Sequence, residues 1–272
     1  MLSAHAGHDA SPEAWAYVPM LVLGLVAVAY VVGTIRAEAR QGWPLRRTVA
    51  FVAGTAFLAL ALSPSFDTLA HDDFGGHAAQ HLLLAMVAPL LLVLGMPVTL
   101  LLRALPHRAA RRLGAFLNTA PVRLLSTPVV ALVLTSGGMV VLYFTPLYRW
   151  STESTGVHLL VHVHLVLSGF LFAWVIAGLD PSPHRASVRT RLITLGASIV
   201  VHSAVSQLLY AGLWVQVDEP AEELRAAGSL MYYGGDVAEL LLALVMLLAA
   251  TWRGRPQSNA GCRVDTLRAD VM

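Results

Sequence analysis

Eleven histidines occur in the 272 residues, and two pairs repeat one spacing: His77 with His81, and His158 with His162. Four residues advance an α-helix by about 400°, so each pair shares one stripe, its members roughly 40° and one turn apart. Two such stripes facing each other at one depth would offer four imidazoles to a transition ion, and imidazole suits Cu, Zn, Fe and Ni. Alternatively, each ring is an interfacial residue reaching toward headgroups. His164 is two residues past His162, about 200° round the helix, so it faces another helix or requires local unwinding. Asp236 and Glu239 are three apart and share a helical face. Either could ligate metal or accept the second ring N–H of a ligand histidine. Asp236, directly after Gly234 and Gly235, could equally serve the positive end of a helix dipole. Glu239 lies a turn deeper, where capping explains it less well. His202 reads as an interhelical hydrogen bonder or as a ligand. Gln80, Gln207, Tyr210 and Tyr232 are candidates to hydrogen-bond within the same cavity. Thioethers bind Cu(I), but Met20, Met86, Met139 and Met231 show no local clustering and read as core packing.

The elements that position these groups are membrane helices. Hydrophobic residues make up 57% of the chain and charged residues 12%, against about 25% charged in a soluble domain. A bilayer core needs about 20 apolar residues per helix. The fold class read from this is an all-α integral membrane protein with seven transmembrane helices. The predicted spans are Tyr17–Ile35, Thr48–Ser63, His77–Leu102, Leu124–Phe144, Gly156–Ile176, Thr190–Leu213 and Met231–Trp252. Pro89 and Pro97 should kink the third. A short segment, 1–16, precedes a membrane domain, 17–253, and the tail, 254–272, reads as disordered.

All eighteen basic residues are arginine. Sixteen lie in alternate connections: Arg36, Arg40, Arg46 and Arg47; Arg103, Arg108, Arg111, Arg112 and Arg123; Arg185, Arg189 and Arg191; and Arg253, Arg255, Arg263 and Arg268. The other side has only Arg149 and Arg225, and it holds the acids Asp67, Asp72, Asp73, Glu153, Asp218, Glu219, Glu222 and Glu223. Arginine-rich loops stay cytoplasmic, which puts the N-terminus outside and the paired histidines near the outer face. The absence of lysine excludes Schiff-base chemistry. A single cysteine, Cys262, excludes an internal disulfide and a dithiol site. Arginines dispersed over separate loops argue against a nucleic-acid partner. The first sixteen residues carry no positive charge, so no secretory signal peptide is expected. His5 and His8 in that segment could capture metal weakly.

With these residues in place, the chain resembles the multi-span CtaG family of cytochrome c oxidase assembly factors. The likeness lies in His77-Ala-Ala-Gln80-His81-Leu-Leu-Leu84 followed by Ala88-Pro89 and Gly95-Met-Pro97. It continues in His158-x-x-x-His162-x-His164 with Gly169, Phe172, Trp174, Gly178 and Asp180-Pro181-Ser-Pro183. It ends with Gln207-x-x-x-Ala211-Gly212 and Gly234-Gly-Asp236, so that it covers roughly residues 16–253. One block departs from the family, reading Met231-Tyr232-Tyr233 where Met-Trp is common.

The resemblance implies a seven-span protein of the cell inner (plasma) membrane that helps build the copper site in the catalytic subunit of a haem–copper oxidase. It implies copper residues at His77, His81, His158, His162 and His164, and an acidic position at Asp236. Glu239 and His202 join the metal set by placement. The expected function is non-enzymatic: a copper-binding assembly factor whose partners are the cytochrome c oxidase catalytic subunit and the lipid bilayer, with a homo-oligomer left open. Two other classes compete. Paired histidines could ligate haem, and a metal-dependent membrane enzyme could use the same cluster with Glu239 as base. A transporter is disfavoured because the inner halves of the spans are nearly free of polar groups.

Overall fold

Helices carry the whole architecture, and prolines set where they bend. The computed structural model describes residues 17–254. His5, His8, Cys262 and the tail beyond residue 254 lie outside the described residues. Among the described residues there is no strand.

The chain runs through α1 (Val18–Gln41), α2 (Leu45–Ala61), α3 (Pro64–Asp72) and α4 (Phe74–Leu82). A π-turn, Leu83–Val87, leads into α5 (Ala88–Leu94) and then α6 (Pro97–Ala104). Two short helices, α7 (His107–Leu117) and α8 (Ala120–Leu125), precede α9 (Pro128–Phe144) and α10 (Leu147–Glu153). Three long helices close the fold: α11 (Thr155–Ala177), α12 (Val188–Ala211) and α13 (Ala221–Gly254).

Among the described residues, five stretches are long and apolar enough to cross a membrane: Val18–Glu38, Phe74–Ala104, Thr155–Ala177, Val188–Ala211 and Ala221–Thr251. The predicted spans Thr48–Ser63 and Leu124–Phe144 fall on bent pairs instead. α2 turns into α3 by 58°, and α9 turns into α10 by 77°. Counting each pair as one span gives up to seven crossings. The reason is length: α2 and α9 have 17 residues each, about 25 Å of rise against a core of about 30 Å. Leu25, Leu160, Val200 and Leu240 point outward with exposures of 63–70%. Apolar helices with apolar outer faces are what lipid as a solvent selects, and the chain is a multi-pass membrane protein.

The third stretch bends without breaking its register. Pro89 lacks an N–H, and upstream the ladder widens, so that Ala88 N–H reaches the Leu83 carbonyl five residues back. A π-turn of this kind spreads the backbone and shifts the following side chains round the axis. The break that restarts the helix falls at Met96, which adopts φ 51 before Pro97. Pro97 leaves α6 with bare first-turn donors, and a distant residue satisfies them. The Asp180 carboxylate accepts from Val98 N (3.2 Å), Thr99 N (2.9 Å) and Thr99 Oγ1 (2.5 Å). Tyr30 Oη donates to the Gly95 carbonyl at 2.5 Å. Asp180 is 1% exposed. Burial raises its carboxyl above the ordinary aspartate range, and the Thr99 and Val98 bonds pull it back down.

Two apolar cores stack along the bundle. One gathers Phe74, Leu84, Tyr143, Tyr148 and Leu209, and the other gathers Phe172, Trp174, Ile176, Leu195 and Met246. α11 crosses the π-turn so closely that a Cβ at Gly169 would fall 2.0 Å from the Ala85 carbonyl oxygen. Only glycine permits that crossing. It brings the His158–His162 helix against the segment that follows His81.

Candidate functional site

The first turn of α4 is held by two acids, its own N-cap and one from another helix. The Asp73 side chain accepts from Gly75 N (3.2 Å) and Gly76 N (2.9 Å), and Glu223 of α13 accepts from Phe74 N (3.1 Å). These satisfy orphan donors of the helix start and fix the rotation of α4, which turns His77, Gln80 and His81 into the protein. Exposures are 4% for His77, 0% for Gln80 and 5% for His81.

The His77 and His81 rings lie 4.2 Å apart between centroids, and His158 and His162 lie 4.1 Å apart. His77, His158 and His162 all stand close enough to His81 for their charge to act on it. The two helical stripes therefore meet in one region. Aromatic side chains wall it. Phe74 lies nearly parallel to the His77 ring at 5.9 Å, and Tyr148 meets it edge-on at 5.0 Å. His81 Nδ1 is 2.8 Å from Tyr143 Oη, and His81 Nε2 is buried with no hydrogen-bond partner.

Asp67 of α3 binds the two stripes together. Its Oδ1 lies 3.1 Å from His158 Nε2 and accepts from Gln80 Nε2 at 3.5 Å. Gln80 Nε2 also donates to the Ala61 carbonyl at 2.7 Å. Thus α2, α3, α4 and α11 are tied at one end of the bundle. Among the described residues, no group of three or more His, Cys, Asp or Glu side chains converges as it stands on a point that could hold a metal ion.

The remaining predicted residues divide into two places. His164 turns away from the cluster: its Nε2 lies 3.1 Å from the Leu134 carbonyl oxygen, so the ring N–H ties α11 to α9. Gly138 makes room for it, since a Cβ there would fall 2.3 Å from His164 Nε2. His202, Asp236 and Glu239 lie deeper. His202 Nε2 donates to the Met231 carbonyl at 3.0 Å, over Gly235, where a Cβ would fall 2.1 Å from that nitrogen. Glu239 is 2% exposed. Its Oε1 accepts from Ser198 Oγ at 2.9 Å, and its Oε2 is buried without a hydrogen-bond partner. Asp236 is half-buried and close enough for its charge to act on both His202 and Glu239.

A cavity of about 70 Å³ connects the two places, with His81, His202 and Glu239 all on its wall. Met86, Met139 and Met231 line it as well. Gln207 and Tyr210 face outward instead and take no part. Tyr143 and Tyr148 are the site residues that sequence reasoning missed. The signal available was their position on either side of Pro146, where an apolar run ends on the same side as the paired histidines.

The model of the family described as cytochrome c oxidase caa3 assembly factor (Caa3_CtaG) matches residues 28–253. An uncharacterized protein of Mycobacterium leprae is 34% identical over 191 residues, 67% of this chain and 28% of that protein. An uncharacterized protein of Mycobacterium bovis is 29% identical over 260 residues, 89% of this chain and 39% of that protein. The chain thus spans well under half the length of these curated relatives. No solved structure matches the chain.

Proposed function

Because the chain belongs to the cytochrome c oxidase caa3 assembly factor family, we propose that it binds copper through the paired histidines and hands it to the catalytic subunit of a haem–copper oxidase. The reading is that of a carrier acting by ligand exchange, without turnover. Copper is its cargo. The observation that supports it best is that Asp67 and Gln80 tie the His158–His162 helix to the His77–His81 helix, where His81 Nε2 is buried without a hydrogen-bond partner. A bare imidazole nitrogen inside a protein is costly unless something comes to it.

The arginine count supports the orientation that this role needs. Segments carrying sixteen of the eighteen arginines stay in the cytoplasm, which puts the histidine end at the extracytoplasmic face of the plasma membrane. Copper enters from that side. His77, His81, His158 and His162 are its first holders. Because no three of them yet converge, loading requires ring rotation, with His158 leaving Asp67. His164, His202, Asp236 and Glu239 support the site from neighbouring helices or take the ion in turn.

Metal analysis of the purified chain with its absorption spectrum tests the proposal. Copper held at one ion or more per chain, released in acid as protons compete for the imidazoles, is the expected result. A strong Soret band with no copper would overturn it in favour of haem.

A further inference from the structure

We propose that the inner cavity is a second copper position, specific for Cu(I), built from the thioethers of Met86, Met139 and Met231 with the imidazoles of His81 and His202 and with Glu239 as counter-charge. The proposal rests on the copper reading above and adds to it the oxidation state and an inward step.

Three observations meet here. First, the three methionines come from the π-turn, from α9 and from α13, yet all line one cavity with His81, His202 and Glu239. Core packing needs no such coincidence of sulfur with imidazole. Thioethers are soft, neutral ligands that suit Cu(I). Second, two residues that line the cavity each carry a buried polar atom without a hydrogen-bond partner, His81 Nε2 and Glu239 Oε2. A carboxyl group with one bare oxygen inside an apolar bundle is expensive to keep, and a monovalent cation relieves that expense by supplying the missing charge. Third, His202 donates its Nε2 proton to the Met231 carbonyl at 3.0 Å, so that in its neutral form the lone pair is on Nδ1, ready to accept a metal. The site thus offers neutral soft donors and one negative charge, which match a soft ion of charge +1.

His81 belongs to both places, since it stacks with His77 at the bundle end and lines the cavity. An ion on His81 can therefore pass between them by exchanging one neighbour at a time.

The test uses the full chain in lipid nanodiscs, in a Cys262→Ser background so that the one thiol contributes no sulfur. It is loaded under argon with Cu(I) delivered as its acetonitrile complex, and X-ray absorption reads the ligand atoms. Wild-type chain should show a sulfur shell beside nitrogen. The M86L/M139L/M231L variant, which conserves side-chain volume, should lose that shell and bind fewer ions per chain at unchanged helicity. Single substitutions, Met139→Leu first, serve if the triple variant does not fold, each lowering the sulfur count. E239Q should keep the sulfur shell and weaken Cu(I) about tenfold or more. His77→Ala with His162→Ala should leave the sulfur shell intact. A wild-type spectrum with nitrogen alone, or a sulfur shell that survives the methionine changes, overturns the inner position. If that nitrogen-only signal disappears with the histidine changes, the outer reading still stands. Copper indifferent to His77 and His162 but lost with the methionines overturns the outer reading instead.

Discussion

His81 Nδ1 and Tyr143 Oη lie 2.8 Å apart across 62 residues of chain, and that contact joins α4 to α9. If His81 ligates through Nε2, the proton must sit on Nδ1 and the hydroxyl must accept it. Tyr143 then fixes both the tautomer and the ring plane, the service that outer partners give to ligand histidines. Tyr143→Phe removes the acceptor and leaves the ring packed. It should weaken copper about tenfold to a hundredfold in competition with a chromogenic chelator, at unchanged helicity. Unaltered affinity would mean that His81 is oriented by packing alone.

The two stripes should not contribute equally. His158 Nε2 is engaged with Asp67 Oδ1 at 3.1 Å, whereas His81 Nε2 has no hydrogen-bond partner. Copper must displace the carboxylate before it can use that His158 nitrogen. His158→Ala should therefore lower copper affinity less than His81→Ala. Equal losses in a chelator titration would show that the Asp67 contact is given up at no cost.

At the opposite end, Asp180 supports the broken third span. Its carboxylate closes three bonds on Val98 and Thr99, and Ala in its place leaves the restarted helix uncapped. Asp180→Ala should destabilise the detergent-solubilised chain by roughly 3 kcal/mol, the range for charged hydrogen bonds. It should do so without changing the copper ligands. Asp180→Asn, which keeps an acceptor, should lose less. A variant as stable as wild type would remove Asp180 from the account of the break.

Glu219 gives a pH signature. Desolvation and the neighbouring Glu223 raise its carboxyl above the ordinary glutamate value, while the Tyr148 hydroxyl bond at 3.4 Å opposes them. A carboxyl raised by folding contributes stability below its unfolded value and loses that contribution as pH climbs through the folded one. Wild type therefore carries a penalty near neutral pH that Glu219→Gln does not. The variant should unfold at a higher temperature at pH 7, and the gap should close as pH falls below the folded value. A gap that widened toward acid would reverse the sign of this argument.

Much of the site could be read before any coordinates. Four-residue spacing places two imidazoles on one helical stripe whatever the tertiary fold, so the His77–His81 and His158–His162 pairs were legible. The two-residue offset of His164 likewise put it on another face, where it bonds the Leu134 carbonyl. The methionine-lined cavity was not legible, because Met86, Met139 and Met231 share no local spacing and come to line one cavity only in the folded bundle. Nor could the Asp-Pro-Ser-Pro motif disclose its purpose: Asp180 acts on Thr99, 81 residues earlier in the chain. Seven apolar runs were visible, but hydropathy carries no information on the 58° and 77° bends, which proline and limited helix length impose.

The most direct test is the copper content of purified chain, wild type against His81→Ala and His162→Ala, by elemental analysis at matched folded yield. Copper near one ion or more per wild-type chain, falling sharply in both variants, is the predicted result. Copper content unchanged by either substitution would contradict the histidine site.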